Sequence, residues 1–152
     1  MSDEAPWLDD EEMETWLPFV RLVSRLPGAL DGQVRQDADL SYFEYCVLVT
    51  LEHAEDETMR MSDLAVLCNG SLSRLSHVAR RLEGEGLIRR FACPTDGRST
   101  LAALTGAGRE KLVQAAPGHV KLVRSLVFDE LTRDEMRQLG VLSKRLLDRI
   151  EP

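Results

Sequence analysis

The chain has 152 residues, 43% of them hydrophobic, and a formal net charge of -7 at pH 7. That is enough apolar material for one domain or two closely joined subdomains with a real core, and no run of eighteen apolar residues argues for a membrane span. The amino terminus, Met-Ser-Asp-Glu-Ala-Pro, lacks the positive start and apolar centre of a signal peptide, so a cytoplasmic address is expected.

An acidic chain would at first be excluded as a nucleic-acid partner. The distribution reverses this: residues 1–59 hold fifteen acids and three arginines, whereas residues 60–100 hold seven arginines and four acids. A basic surface is therefore local, and the acidic first third should keep an anionic polymer off the wrong faces.

In chain order, residues 9 to 35 predict a first helical region, opened by Asp9 or Asp10 as cap, with Trp16, Val20, Val23 and Leu26 packed inward. Pro18 and Pro27-Gly28 predict that it is bent or broken, because a proline inside a helix removes a hydrogen bond and costs about 3 kcal/mol. Ser41 caps a second helix carrying Phe43, Val47, Leu48 and Leu51. Met59 to Met61 form a short edge strand, and Ser62 caps a short helix over Asp63 to Cys68.

The Asn69-Gly70 turn then leads to Ser71, whose hydroxyl suits an N-cap, so the next helix begins at about Leu72. Leu75, Val78, Ala79 and Leu82 recur at three- and four-residue steps and predict one buried stripe. The other face carries Ser73, Arg74, Ser76, His77, Arg80 and Arg81. Short helix, turn and polar-faced helix make a helix-turn-helix.

Gly84 and Gly86 end that helix, and Leu87 to Phe91, with Arg89 and Arg90 interleaved, suit a half-exposed strand. Asp96-Gly97 is a tight-turn dipeptide, Thr100 to Leu104 return as the partner strand, and Pro94 predicts a frayed or bulged tip. Arg98 sits at that tip with Asp96 placed to orient it. Serine, arginine and histidine on a helix face donate to base edges and phosphates, and an arginine on a hairpin tip reaches the negative potential of an adjacent minor groove. Charged helix faces are commonly just solvated; the consecutive order of helix, basic strand and arginine tip argues for DNA.

A long helical region from Thr105 to about residue 128, interrupted at Pro117-Gly118, and a last helix from Thr132 to Ile150 complete the chain. Thr132 to Glu135 is a capping box. Leu122, Val123, Leu126, Val127, Leu139, Leu142, Leu146, Leu147 and Ile150 are more apolar surface than so small a chain hides within itself, which predicts a homodimer over an intramolecular bundle. The expected architecture is mostly α with a small β-hairpin wing: a dimerisation region over 1–35, a winged helix-turn-helix over 36–105 and dimerisation helices over 106–152.

These residues carry a family resemblance. Asp96-Gly-Arg98 followed by Leu104-Thr-Gly-Ala-Gly108, with Met61-Ser-Asp-Leu-Ala65, Arg81-Leu-Glu83 and Gly86-Leu-Ile-Arg89, resembles the multiple-antibiotic-resistance regulator (MarR) family of bacterial transcription factors over nearly the whole chain. The resemblance implies a homodimer whose two winged helices read a pseudo-palindromic operator in double-stranded DNA, usually as a repressor relieved by a small-molecule effector or an oxidant. It implies that Ser73, Arg74, Ser76 and His77 meet the major groove, that Arg81 lies near the phosphate backbone and that Arg98 enters the minor groove. Ser71 and Arg80 complete the expected DNA-facing set, with Asp96 and Gly97 supporting the wing. Leu72 departs from the polar residue usual at its position and is read either as a packed staple at the helix start, the favoured reading, or as a contact to a thymine methyl.

No cofactor or metal is expected, since the three histidines are scattered and no Cys or His pair has ligand spacing. Cys46 and Cys68 read as small core residues, and His119 either contributes to a ligand pocket between the dimer helices and the winged domain or, the favoured reading, is capped or solvent-facing. Cys93 is the candidate redox thiol, with the charges of Arg89 and Arg90 favouring thiolate. Glycine-rich phosphate loops, nucleophile elbows and carboxylate pairs are absent, so the chain does not read as an enzyme. The alternatives to a ligand-relieved repressor are a thiol-based redox-sensing regulator and a winged helix used only for protein contacts.

Overall fold

The computed structural model describes residues 6–150. Helix α1 (Asp10–Ala38) opens on a capping box in which Asp9 Oδ1 accepts from the Glu12 amide at 2.8 Å and Glu12 Oε2 accepts from the Asp9 amide at 2.9 Å. It closes on Asp39 in the left-handed region.

Contrary to the expected bend or break, α1 is a single 29-residue helix running through Pro18 and Pro27. Both prolines are exposed, so the carbonyls they leave without an amide partner, four residues earlier, are open to water. Leu30, Val34 and Ala38 anchor the carboxy-terminal third in the core. The inward packing expected of Trp16 and Val23 is corrected: both are about half exposed, on an amino-terminal stretch that projects beyond the core.

Helix α2 (Tyr42–Glu52) is the spine of the core, with Phe43, Tyr45, Val47, Leu48 and Leu51 buried beneath a second capping box from Ser41 and Glu44. A 3₁₀ turn (Glu55–Glu57) leads to β1 (Thr58–Arg60), then α3 (Met61–Leu67) and α4 (Leu72–Gly84). Ser62 does not cap α3 as expected. The helix begins one residue before it, on Arg60, because strand pairing of Arg60 with Leu101 sets where the chain turns.

Strands β2 (Ile88–Cys93) and β3 (Asp96–Leu104) form the antiparallel wing, and β1 adds to the other edge of β3, giving the order β1-β3-β2. A register shift between Ala92 and Cys93 is the irregularity expected beside Pro94. Thr105 locks the wing to helix α5 (Gly106–Val123): its Oγ1 donates towards the carbonyls of Gly86 and Leu87 at 2.7 and 2.9 Å and accepts from the Gly108 amide at 3.0 Å. A Cβ on Gly108 would stand 2.2 Å from the Leu87 carbonyl oxygen, so the last glycine of the Leu-Thr-Gly-Ala-Gly run is a close-packing requirement.

Pro117 does not interrupt α5 either; the helix passes through it and ends in a π turn (Arg124–Phe128). Leu112 and Ala115, five and two residues before Pro117, are held in the core and keep the helix on course. Helix α6 (Arg133–Ile150) starts at the expected Thr132/Glu135 capping box and buries none of its residues. Its stripe of Leu139, Leu142 and Leu146 faces Leu8, Trp16 and Phe19 of the amino-terminal region across an apolar groove of about 660 Å³.

Candidate nucleic-acid interface

Helix α4 is seated by Leu75, Ala79 and Leu82, all fully buried, which turns Ser73, Arg74, His77 and Arg80 to the outside and leaves Ser76 at the edge. Ser71 caps it by accepting the Arg74 amide at 3.1 Å. The preceding turn places Asn69 in the left-handed region and seats Gly70 against the Phe43 ring, where a Cβ would approach to 2.6 Å. Leu72 is 51% exposed at the head of the helix, which corrects the packed-staple reading.

The arginines divide into two groups. Arg74 lays its guanidinium over Phe43, 4.1 Å from the ring centroid. Arg81 is held by carboxylates: it donates to both oxygens of buried Glu44 at 3.1 and 3.2 Å, to Glu85 at 2.9 Å and to the Asp39 carbonyl at 3.1 Å. On the wing, Arg90 makes a two-pronged pair with Glu83, which holds that carboxyl below its usual range. Arg80 and Arg98 make no ion pair among the described residues.

At the wing tip Asp96 accepts from the Arg98 backbone amide at 3.2 Å and from the Ser99 hydroxyl at 2.6 Å, and these bonds hold its carboxyl below the usual range. It therefore orients the turn that carries Arg98, through the backbone. Between the wing and the head of α4 lies a notch of about 260 Å³ lined by Arg60, Arg90, Arg98, Ser62, Ser76 and Leu72 with their neighbours. Arg60 and Ser62 were not singled out in the sequence for this surface. Only the β1–β3 register brings Arg60 beside the wing, and no local pattern marks that pairing.

Cys93 is 8% exposed, and its Sγ lies 3.3 Å from Thr95 Oγ1. Its thiol is pulled down from the usual range first by the Thr95 side chain and backbone, with Arg60 as a lesser contributor; Arg89 and Arg90, expected to be the cause, are turned to Phe91 and Glu83.

A second concavity, about 870 Å³ and widely open, lies among α1, α2, the α3–α4 turn and α5. Its walls include Asp31, Tyr42, Tyr45, Cys46, Cys68, Arg74 and His119. Both cysteines line the groove and are only partly buried; Cys68 packs against the core as expected, whereas the core assignment of Cys46 is corrected. His119 is not solvent-facing: it packs against Tyr45 with centroids 4.7 Å apart, its Nδ1 is buried without a partner, and burial lowers its pKa from 6.5. Burial likewise pushes the Tyr42 phenol up to about 12, while bonds from the Tyr42 amide and Arg35 lower the Asp31 carboxyl. Among the described residues no three His, Cys, Asp or Glu side chains are grouped to hold a metal, and no helix is long and apolar enough to cross a membrane.

A helix-turn-helix with an arginine-tipped wing and a basic notch between them defines a winged-helix protein of the regulator class. The comparisons agree: the model of the MarR family matches residues 40–100. The chain is similar to Sco3205, a MarR family transcriptional regulator from Streptomyces coelicolor solved in complex with DNA, with 38% identity, a TM-score of 0.92 and coverage of 99% of this chain and 94% of that one. It is 31% identical to the HTH-type transcriptional regulator YfiV of Bacillus subtilis, covering 91% of this chain and 87% of the relative. It is 28% identical to the transcriptional repressor MprA of Escherichia coli, over 70% of this chain and 60% of that protein. The chain belongs to the MarR family of transcriptional regulators.

Proposed function

We propose that the protein is a homodimeric repressor that binds a pseudo-palindromic operator in double-stranded DNA through α4 and the wing, and that a small-molecule effector in the groove beside α2 relieves it in the cytoplasm. The observation that carries the DNA reading is the notch that brings Arg60 and Arg98 together with Ser76 of α4, whose residues Ser73, Arg74, His77 and Arg80 are exposed. Serine, arginine and histidine side chains there present donors to base edges, and the guanidinium of Arg98, without an ion pair among the described residues, suits the potential of a narrow minor groove.

Dimerisation is supported by the unburied apolar stripe of α6 and by Trp16, Phe19 and Leu22 of α1, which stay 40–52% exposed among the described residues. The relative MprA supports repression, and the aromatic walls of the groove, with Arg74 shared between groove and recognition helix, support an effector. Selection of bound sites from random double-stranded DNA by the purified protein tests the reading. An enriched two-fold symmetric site whose affinity falls steeply with salt is expected; a pool without enrichment would leave a winged helix that makes protein contacts only.

A further inference from the structure

Cys46 and Cys68 are far apart in sequence, and the fold brings both to the wall of one groove. Cys46 and Thr50 stand one turn apart on the same face of α2, Thr50 Oγ1 lies 3.6 Å from Cys68 Sγ, and the Cys46 thiol meets the Tyr42 side chain, so the two cysteines reach the groove from neighbouring positions. Neither is in a disulfide, and each is partly open. Beside them the groove is walled by Tyr42, Tyr45 and His119, with the ring centroids of Tyr45 and His119 4.7 Å apart. The site therefore offers two soft nucleophiles at the edge of an aromatic surface.

Resting on the reading of this groove as the effector site, we propose that Cys46 and Cys68 form a covalent site for an aromatic trivalent arsenical, a ligand that bonds two sulfurs at once and stacks its aryl group on the groove wall. With an aryl arsenoxide, both S–H bonds break and two As–S bonds form. The arsenic-bound oxygen leaves as water with the two thiol protons, and arsenic stays trivalent. Burial raises both thiols, which keeps them protonated at neutral pH. That disfavours ions that need preformed thiolates but suits a condensation that consumes the protons. A disulfide between the same sulfurs would require an external oxidant; this reaction requires none. Cys68 ends α3 immediately before the turn into α4, so a bridge to α2 ties one end of the helix-turn-helix.

The test uses the full reduced chain and phenylarsine oxide, read by intact-mass spectrometry and by proteolytic mapping of the adduct. One adduct per chain with loss of water is expected, resistant to 2-mercaptoethanol, removed by 2,3-dimercaptopropanol, and joining the peptides that contain Cys46 and Cys68. Cys46→Ser and Cys68→Ser should each weaken capture by roughly 100-fold, the loss expected when the second bond can no longer form intramolecularly; Cys93→Ser should leave it unchanged. The mapping on wild-type protein needs no variant to fold. No adduct on the folded chain, an adduct mapped to Cys93, or unchanged capture by either single variant would overturn the site.

Discussion

Arg81 of the recognition helix closes over Glu44 of α2, a carboxylate only 3% exposed, and donates to both of its oxygens at 3.1 and 3.2 Å. Glu44 also accepts the Ser41 amide at 2.7 Å as the reciprocal partner of Ser41 in the α2 capping box. One carboxylate thus ends a helix and fastens α4 to it, and the guanidinium is spent on that joint.

Replacing Arg81 with alanine should therefore cost stability. Removing one partner leaves a buried charge with a single donor, and because the Arg81 side chain is 43% exposed the loss should be about 1–3 kcal/mol, below that of a fully buried pair. Urea unfolding should show a lowered midpoint. An unchanged midpoint with a tenfold loss of operator affinity would make Arg81 a DNA contact instead.

Arg98→Ala should weaken binding to the selected operator by about 1–3 kcal/mol with the unfolding midpoint unchanged. Asp96→Ala should act in the same direction without touching DNA, since it removes the bonds to the Arg98 amide and the Ser99 hydroxyl that shape the tip. Fluorescence anisotropy at fixed salt measures both; affinities equal to wild type would remove the wing from recognition.

Arg60 lines the notch and makes no ion pair among the described residues. Arg60→Ala should weaken binding evenly across operator variants and reduce the slope of log affinity against log salt by about 1, the signature of a lost phosphate contact. A changed base preference with an unchanged slope would assign it to base readout.

His119 sets a pH dependence. Burial lowers its folded pKa below 6.5, so the unfolded chain takes up the proton first. Its contribution to stability is complete above pH 6.5 and is lost as pH falls from there towards the folded value. The lowered carboxyls of Asp31, Glu83, Asp96 and Glu135 add losses of the same sign at lower pH, below their ordinary values of 3.8 to 4.5. His119→Phe should flatten the upper part of the curve and leave the lower part; thermal melts between pH 7.5 and 5.5 that superimpose for wild type and variant would contradict this.

The exposed stripe of α6 should be an interface between copies. Sedimentation equilibrium at micromolar concentration should give a dimer, and Leu142→Asp should shift it to monomer by placing a charge in the apolar seam. A compact wild-type monomer would mean that α6 closes on α1 of its own chain.

Local patterns carried much of this protein. Ser41, Ser71 and Thr132 each cap the helix expected of them, because a cap depends on a hydroxyl and amides within three residues. The bulge near Pro94 and the start of α4 at Leu72 are equally local. Pro18, Pro27 and Pro117 misled, since the cost of a missing amide is small where the orphaned carbonyl faces water and the rest of the helix is anchored.

By itself, then, the sequence determined the order of elements, the polar face of α4 and the arginine on the wing, all of which follow from periodicity and turn chemistry within a few residues. Tertiary structure alone decided which charges remain free. Glu44 lies 37 residues from Arg81 and withdraws it, while the β1–β3 register brings Arg60 beside Arg98. The same long-range packing placed Cys46 and Cys68 on one wall. Such pairings are set by how helices and strands share a common core, which no spacing along the chain encodes.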